Sequence, residues 1–204
     1  MNRIDIDAKY VSHFGSEKLI SQVAGQSRDS AHGPSIENLL AWGHLSPFEF
    51  ASMTFFISCP IYVARQVMRH RTGKYMEKSL RYTEPDDEVY IIDLDCGDKE
   101  RNEVLNQSFK DYYESLFRNY HKLIESGMPK EQARGVLPLA TFTHFYMQMD
   151  VRNLINFFLL RLSPDTQAET RFLAELMLTH FKKEFPTVGT YISNKLKENS
   201  NDNQ

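Results

Sequence analysis

Residues 60–82 read PIYVARQVMRHRTGKYMEKSLRY. Pro60 suits the first turn of a helix, where its missing N–H has no partner to lose. Ile61, Ala64 and Met68 give that helix a packing side, while Arg65, Gln66 and Arg69 present donors on another. Gly73 stops it, and residues 72–84 have no clean period, which reads as a structured loop. Cations concentrate here in a chain whose 24 Lys and Arg against 27 Asp and Glu leave a net charge of −3. Runs of charge ordinarily form a solvated face. Two features oppose that here: a helix C-terminus followed by a loop tolerates cations where a ligand can reach them, and Arg outnumbers Lys. Planar guanidinium forks suit phosphate and the edge of a uracil or flavin ring. Both point to an anionic nucleotide.

Toward the N-terminus, FEFASMTFFIS at 48–58 is rich in Phe, Thr and Ile and reads as a buried strand. Before it, Ser35 can cap a helix IENLLAWGH with Ile36, Leu39 and Leu40 on one face. The first forty residues otherwise show a weak strand at Ile4 and Ile6 and a polar loop over 25–35. Toward the C-terminus, EVYIIDLD at 88–95 reads as a strand or extended segment. Residues 103–126 repeat apolar positions at three and four, predicting a long amphipathic core helix ended by Gly127. Pro129 opens a short helix, ATFTHFYMQMD at 140–150 suits a second strand, and Asp150 can cap VRNLINFFLLRL. On that helix Arg152 and Asn156, four apart, share a face. Pro164 and Asp165 begin a last long helix running to Pro186. Roughly four or five helices and two to four strands without βαβ alternation predict an α+β fold. The expected organisation is one domain over 1–194 and a polar, frayed tail over 195–204.

Of 204 residues, 41% are hydrophobic and 12% aromatic, enough for a real core. The slightly acidic balance removes a global field toward nucleic acid or membrane. Cys59 and Cys96 are too few for a disulfide framework and stand at no metal-ligand spacing, so no structural zinc is expected and a cytoplasmic setting is. Neither a signal peptide nor a membrane-spanning apolar run is evident. No GxGxxG follows a strand, so a Rossmann flavin site is not expected. Cys59 precedes Pro60 at an apolar strand end and reads as a buried small hydrophobe rather than a nucleophile.

RHRTGKYMEKSLRY at 69–82 resembles the signature of flavin-dependent thymidylate synthases, Arg-His-Arg, seven residues, Ser, one residue, Arg. The resemblance continues in HLSPFEF at 44–50, CPIYVARQ at 59–66, ARGVLPL at 133–139, NFFLLR at 156–161, and then Gln167 and Glu169. It spans roughly residues 20 to 185.

What the resemblance implies is a central mixed sheet flanked by helices, and a homotetramer with active sites built from several subunits. The implied reaction converts dUMP to dTMP, with methylenetetrahydrofolate as carbon donor, FAD as hydride carrier and NADPH as reductant. C5 of uracil is a poor nucleophile, so a fixed cation beside the ring oxygens would stabilise charge as bonding develops. By family position that cation is Arg161. Gln66, Arg69, Ser79, Leu80, Arg81 and Arg134 match the other dUMP positions. For FAD the matched positions are Arg69, His70, Arg71, Glu77, Asp150, Asn156 and Asp165, with Ser27, His44, Ser46 and Glu49 beside them. No metal is implied.

Several positions depart from the family pattern. Lys74 stands where Ser is usual, Met76 where Asn is, Leu80 where Gly is, Asp150 where Asn is, Asp165 where His is, and Gly25 where Arg is common. Leu80 would be strained if its position needs a positive φ. Asp150 and Asp165 exchange donors for negative charge. Such changes leave open a related flavin enzyme that places another one-carbon group, such as hydroxymethyl, on a pyrimidine, and a nonenzymatic nucleotide-binding homologue.

Overall fold

The computed structural model describes residues 2–3, 5–27, 30, 32–91 and 97–201. Cys96, Ile4, part of the 25–35 loop, the second half of the 88–95 segment and the last three residues of the tail lie outside them. Among the described residues the chain is α+β, as expected, with more elements than the periodicity predicts. Two compact units divide it: residues 1–6, 58–65 and 77–145 form one, and residues 7–57, 66–76 and 146–204 form the other.

A four-stranded antiparallel sheet, most of whose residues belong to the second unit, has the order β2, β3, β6, β4, where β2 is Asp7–Phe14, β3 Ser52–Pro60, β4 Lys74–Glu77 and β6 Phe142–Asp150. Alternation explains β3 and β6: Met53, Phe55 and Ile57 on one, and Met147 and Met149 on the other, are fully or nearly fully buried. β2 lies at the sheet edge and exposes most of its residues, including Phe14, so no alternating apolar pattern announces it. The expected strand over 48–58 begins only at Ser52, because Pro47 sits at the start of a 3-10 turn, Ser46–Phe50.

The helices of this unit are α1 (Glu17–Gln26), α2 (Ile36–Ala41), α6 (Val151–Arg161), α7 (Ala168–Glu184) and α8 (Pro186–Asn201). Ser35 and Asp150 cap α2 and α6 as predicted; Asp150 Oδ1 accepts from the Asn153 N–H at 2.8 Å. α7 packs across β2, and the aromatic ladder Phe158, Phe181, Phe185 runs through the core with ring centroids 5.3 and 5.2 Å apart. Burial of each such ring contributes about 1.5–3 kcal/mol. α1 is an element the sequence reading leaves unassigned; Ser16 caps it, and Ile20 and Ala24 are buried. The tail expected to fray instead continues α8, whose first free N–H groups, Thr187 and Val188, donate to Glu17 Oε1 at 2.8 and 3.0 Å.

The first unit holds a parallel pair, β1 (Asn2–Arg3) with β5 (Glu88–Val89), in the register Asn2 to Glu88 and Arg3 to Val89. The mixed strand directions expected from the resemblance are thus divided between two separate sheets. α4 (Lys99–Glu125) packs on α5 (Lys130–Ala133) and on a 3-10 turn over Arg134–Val136. α4 starts four residues before the predicted position because Asp98 caps it. It is not the core helix expected: of its 27 residues only Phe117 and Tyr120 are buried, and Tyr112 is 62% exposed. Helical period tells which residues share a face, not that anything covers it.

Candidate active site

α3 (Ile61–Val67) ends in the second unit, where residues 69–72 turn back toward α6. Together they enclose a cleft of about 670 Å³ lined by Arg69, His70, Arg71, Thr72, Asn153, Asn156, Leu160 and Arg161. Three guanidinium groups and two amides in one cleft, with no carboxylate in its lining, make it a receptor for anions and carbonyl oxygens. Arg161 is the fixed member. Its Nε donates to His70 Nε2 at 2.9 Å, and its Nη2 to the Gln66 carbonyl at 2.8 Å. Burial, then the neighbouring Arg161 charge, pushes the His70 pKa down to about 4, so the ring is neutral at pH 7 and serves as acceptor. Burial also lowers the Arg161 pKa from its ordinary value.

A second cavity of about 550 Å³ shares Leu160 and Arg161 with the first and adds Gln66, Asp165 and Gln167. Gln66 Nε2 donates to Gln167 Oε1. Gln66, Arg69, His70, Arg71, Asn156, Arg161 and Asp165 are therefore brought together around one side chain. A third cavity, about 900 Å³ beside Trp42 and Tyr191, contains none of the expected site residues.

The other expected residues of this unit lie outside the cleft lining and have partners of their own. Asp150 spends both carboxylate oxygens on Asn153, the second accepting from its side-chain amide at 2.6 Å. Glu49 is paired with Arg152. Ser27 donates to the Ala24 carbonyl at 3.0 Å, closing α1. Ser46 opens the 3-10 turn, and His44 is exposed, its N–H bonded to the Leu39 carbonyl. Lys74 donates to Gln148 at 3.3 Å.

In the first unit, Arg81 Nε lies 3.4 Å from Glu131 Oε2 and its guanidinium sits over the Tyr82 ring, while Arg134 Nε donates to the Glu131 carbonyl at 3.2 Å. Glu131 thus gathers two cations, and the sequence reading missed it. No local signal announced it: its carboxylate meets Arg81 across 50 residues, and the Arg134 bond goes to its backbone carbonyl. Ser79 Oγ accepts from the Arg81 N–H at 3.4 Å. Glu77 accepts from the Thr143 hydroxyl at 2.6 Å. Leu80 does not sit at a positive φ, the condition on which strain there depended: among the described residues Asp87 is the one non-glycine with positive φ. Asp86, Glu88 and His144 lie within 4.8 Å of one another, with the Lys78 ammonium 2.6 Å from Asp86. Cys59 is fully buried, and burial with the Glu77 charge holds its thiol protonated. Among the described residues no helix is long and apolar enough to cross a membrane.

Residues 8–187 match the family model described as thymidylate synthase complementing protein. Over 160 residues the chain is 42% identical to the flavin-dependent thymidylate synthase of Pseudothermotoga lettingae, covering 74% of this chain and 71% of that one. The flavin-dependent thymidylate synthase of Wolbachia pipientis is 32% identical over 204 residues, 87% of this chain and 70% of its own. Among solved structures, the UMP/dUMP methylase PolB from Streptomyces cacaoi bound with 5-Br dUMP aligns with a TM-score of 0.85 at 30% identity, over 95% of this chain and 97% of that one. With the cation motif, the cleft and these likenesses in agreement over most of its length, the chain belongs to the thymidylate synthase complementing protein family.

Proposed function

We propose that this protein reductively methylates dUMP to dTMP, with methylenetetrahydrofolate as carbon donor and NADPH as reductant. The observation that carries this reading is Arg161, a guanidinium held at two of its three nitrogens on the rim of a cationic cleft. Held so, it stabilises negative charge on the uracil oxygens as C5 forms its new bond, without reorganising at that moment. The neutral His70 ring keeps a second positive charge off that guanidinium. By motif Gln66, Ser79, Arg81 and Arg134 are the positions for the phosphate of dUMP, each charged hydrogen bond contributing on the order of 1.5–3 kcal/mol.

The donor set of the cleft fits FAD: Arg69, Arg71 and Asn156 match a diphosphate and the polar edge of a flavin. When bound, FAD carries the hydride that reduces the transferred carbon to a methyl group. His44, Ser46, Glu49 and Ser27 are further flavin positions by motif, as are Glu77, Asp150 and Asp165. A homotetramer with shared sites, one domain over 1–194 and a cytoplasmic setting belong to the same reading.

The likeness to a UMP/dUMP methylase favours a second substrate, UMP. Incubation with FAD, NADPH, methylenetetrahydrofolate and either nucleotide, followed by mass spectrometry, tests both. The expected product is dUMP plus one methylene unit. A hydroxymethyl product, or flavin binding without any product, overturns the reading.

A further inference from the structure

Tyr75, on β4, takes no part in the readings above, yet its hydroxyl reaches two backbone carbonyls at the end of α3. It lies 2.8 Å from the His70 oxygen and 3.1 Å from the Val67 oxygen, sharing one proton between them. Helix C-terminal carbonyls lack intrahelical partners, so a side chain that fills them decides how the last turn is shaped. The turn is shaped tightly here: the His70 N–H donates to Val67 and the Gly73 N–H to His70. Gly73 admits the tyrosine, because a Cβ at that position would stand 2.5 Å from its hydroxyl and 2.9 Å from the Met149 methyl.

The two groups that orient Arg161 belong to this same turn. One is the Gln66 carbonyl and the other is the His70 ring, whose edge also packs on Phe157 at 4.9 Å. We propose that Tyr75 is a positioning residue for Arg161: by holding the end of α3, its hydroxyl fixes both acceptors of the guanidinium. The proposal rests on the role given to Arg161 above, but its geometric half is measurable without turnover. His70 accepts at Nε2 only while neutral, which places its proton on Nδ1. The charged groups around it are all cationic, Arg161 from α6 and Arg69 and Arg71 on its own turn; Asn153 and Asn156 are neutral, and Tyr75, pushed up to about 12 chiefly by burial, stays protonated. Loss of the hydroxyl releases the ring from this setting toward solvent.

The test is Tyr75→Phe in the purified flavoprotein, with the His70 imidazole followed by NMR across pH and kcat and KM measured for dUMP. In the wild type the ring is expected to titrate near 4. In Tyr75→Phe the midpoint is expected to rise by about one pH unit or more, the acid limb of kcat to rise with it, and kcat at pH 7 to fall about tenfold with KM changed less than about threefold. A merely structural role lowers thermal stability and leaves the His70 midpoint where it was; that result overturns the proposal. If Tyr75→Phe does not fold, Gly73→Ala, which drives the hydroxyl off the carbonyls while keeping the ring, decides by the same titration. A shifted midpoint with unchanged kcat supports the positioning and removes the uracil role of Arg161 instead.

Discussion

Arg161 Nε donates to His70 Nε2 at 2.9 Å across 91 residues of sequence. The pair joins the last residue of α6 to the loop after α3, and it sets one cation of the cleft in place before any ligand arrives. Pre-orientation of this kind is worth most where charge develops only during reaction.

Arg161→Ala is expected to abolish methylation while flavin absorbance near about 450 nm persists in the purified protein, since Arg69, Arg71 and Asn156 remain. Turnover within about tenfold of wild type, about 1.4 kcal/mol of barrier, contradicts the assignment.

His70 makes folding stability depend on pH. The unfolded ring takes its proton near the usual 6.5, the folded one only near 4. Between those values the unfolded chain binds the extra proton, so stability falls as pH drops from 6.5 to 4 and the loss from this residue levels off below. Denaturant midpoints of wild type and His70→Gln across that window measure it, and the variant should lose the His70 part of the slope. Equal slopes would show that the ring is not held neutral.

Asp150→Asn should leave stability within about 0.5 kcal/mol, because Asn caps a helix about as well, whereas Asp150→Ala should cost about 1 kcal/mol. Flavin titration of the same variants separates the cap from any ligand contact. If Asp150→Asn tightens flavin binding, the carboxylate repels it; if it does not, Asp150 serves α6 alone.

Thr170, in the first turn of α7, is fully buried and its hydroxyl has no hydrogen-bond partner among the described residues. Thr170→Val replaces a desolvated oxygen by a methyl of similar size and is expected to raise stability by about 1 kcal/mol. Thermal melting of the variant checks this; a lower melting temperature would mean that the hydroxyl is satisfied in solution.

How far the sequence could be read differs between elements. α2 and α6 were legible because Ser35 and Asp150 stand directly before apolar residues at helical spacing. α1 carries the same signal, Ser16 before Ile20 and Ala24, but its apolar face is short and runs directly into a polar stretch rich in Gly and Ser. β2 gave no signal, since an edge strand that exposes most of its residues needs no alternation. The cations of the cleft stood out through their density on a short stretch, whereas Tyr75 matches the family motif with no role attached to it.

By itself the sequence determined the caps, the alternation of β3 and β6 and the cation run, because each depends on residues within a few positions of one another. Only the tertiary structure decided what those residues are used for. Glu17 starts α8 from 170 residues away, Gln167 meets Gln66 across 101, and Glu131 lies against Arg81 across 50. Local preference is silent on such meetings, because chain entropy opposes each of them and only the collective burial of Phe158, Phe181, Phe185 and their neighbours outweighs it.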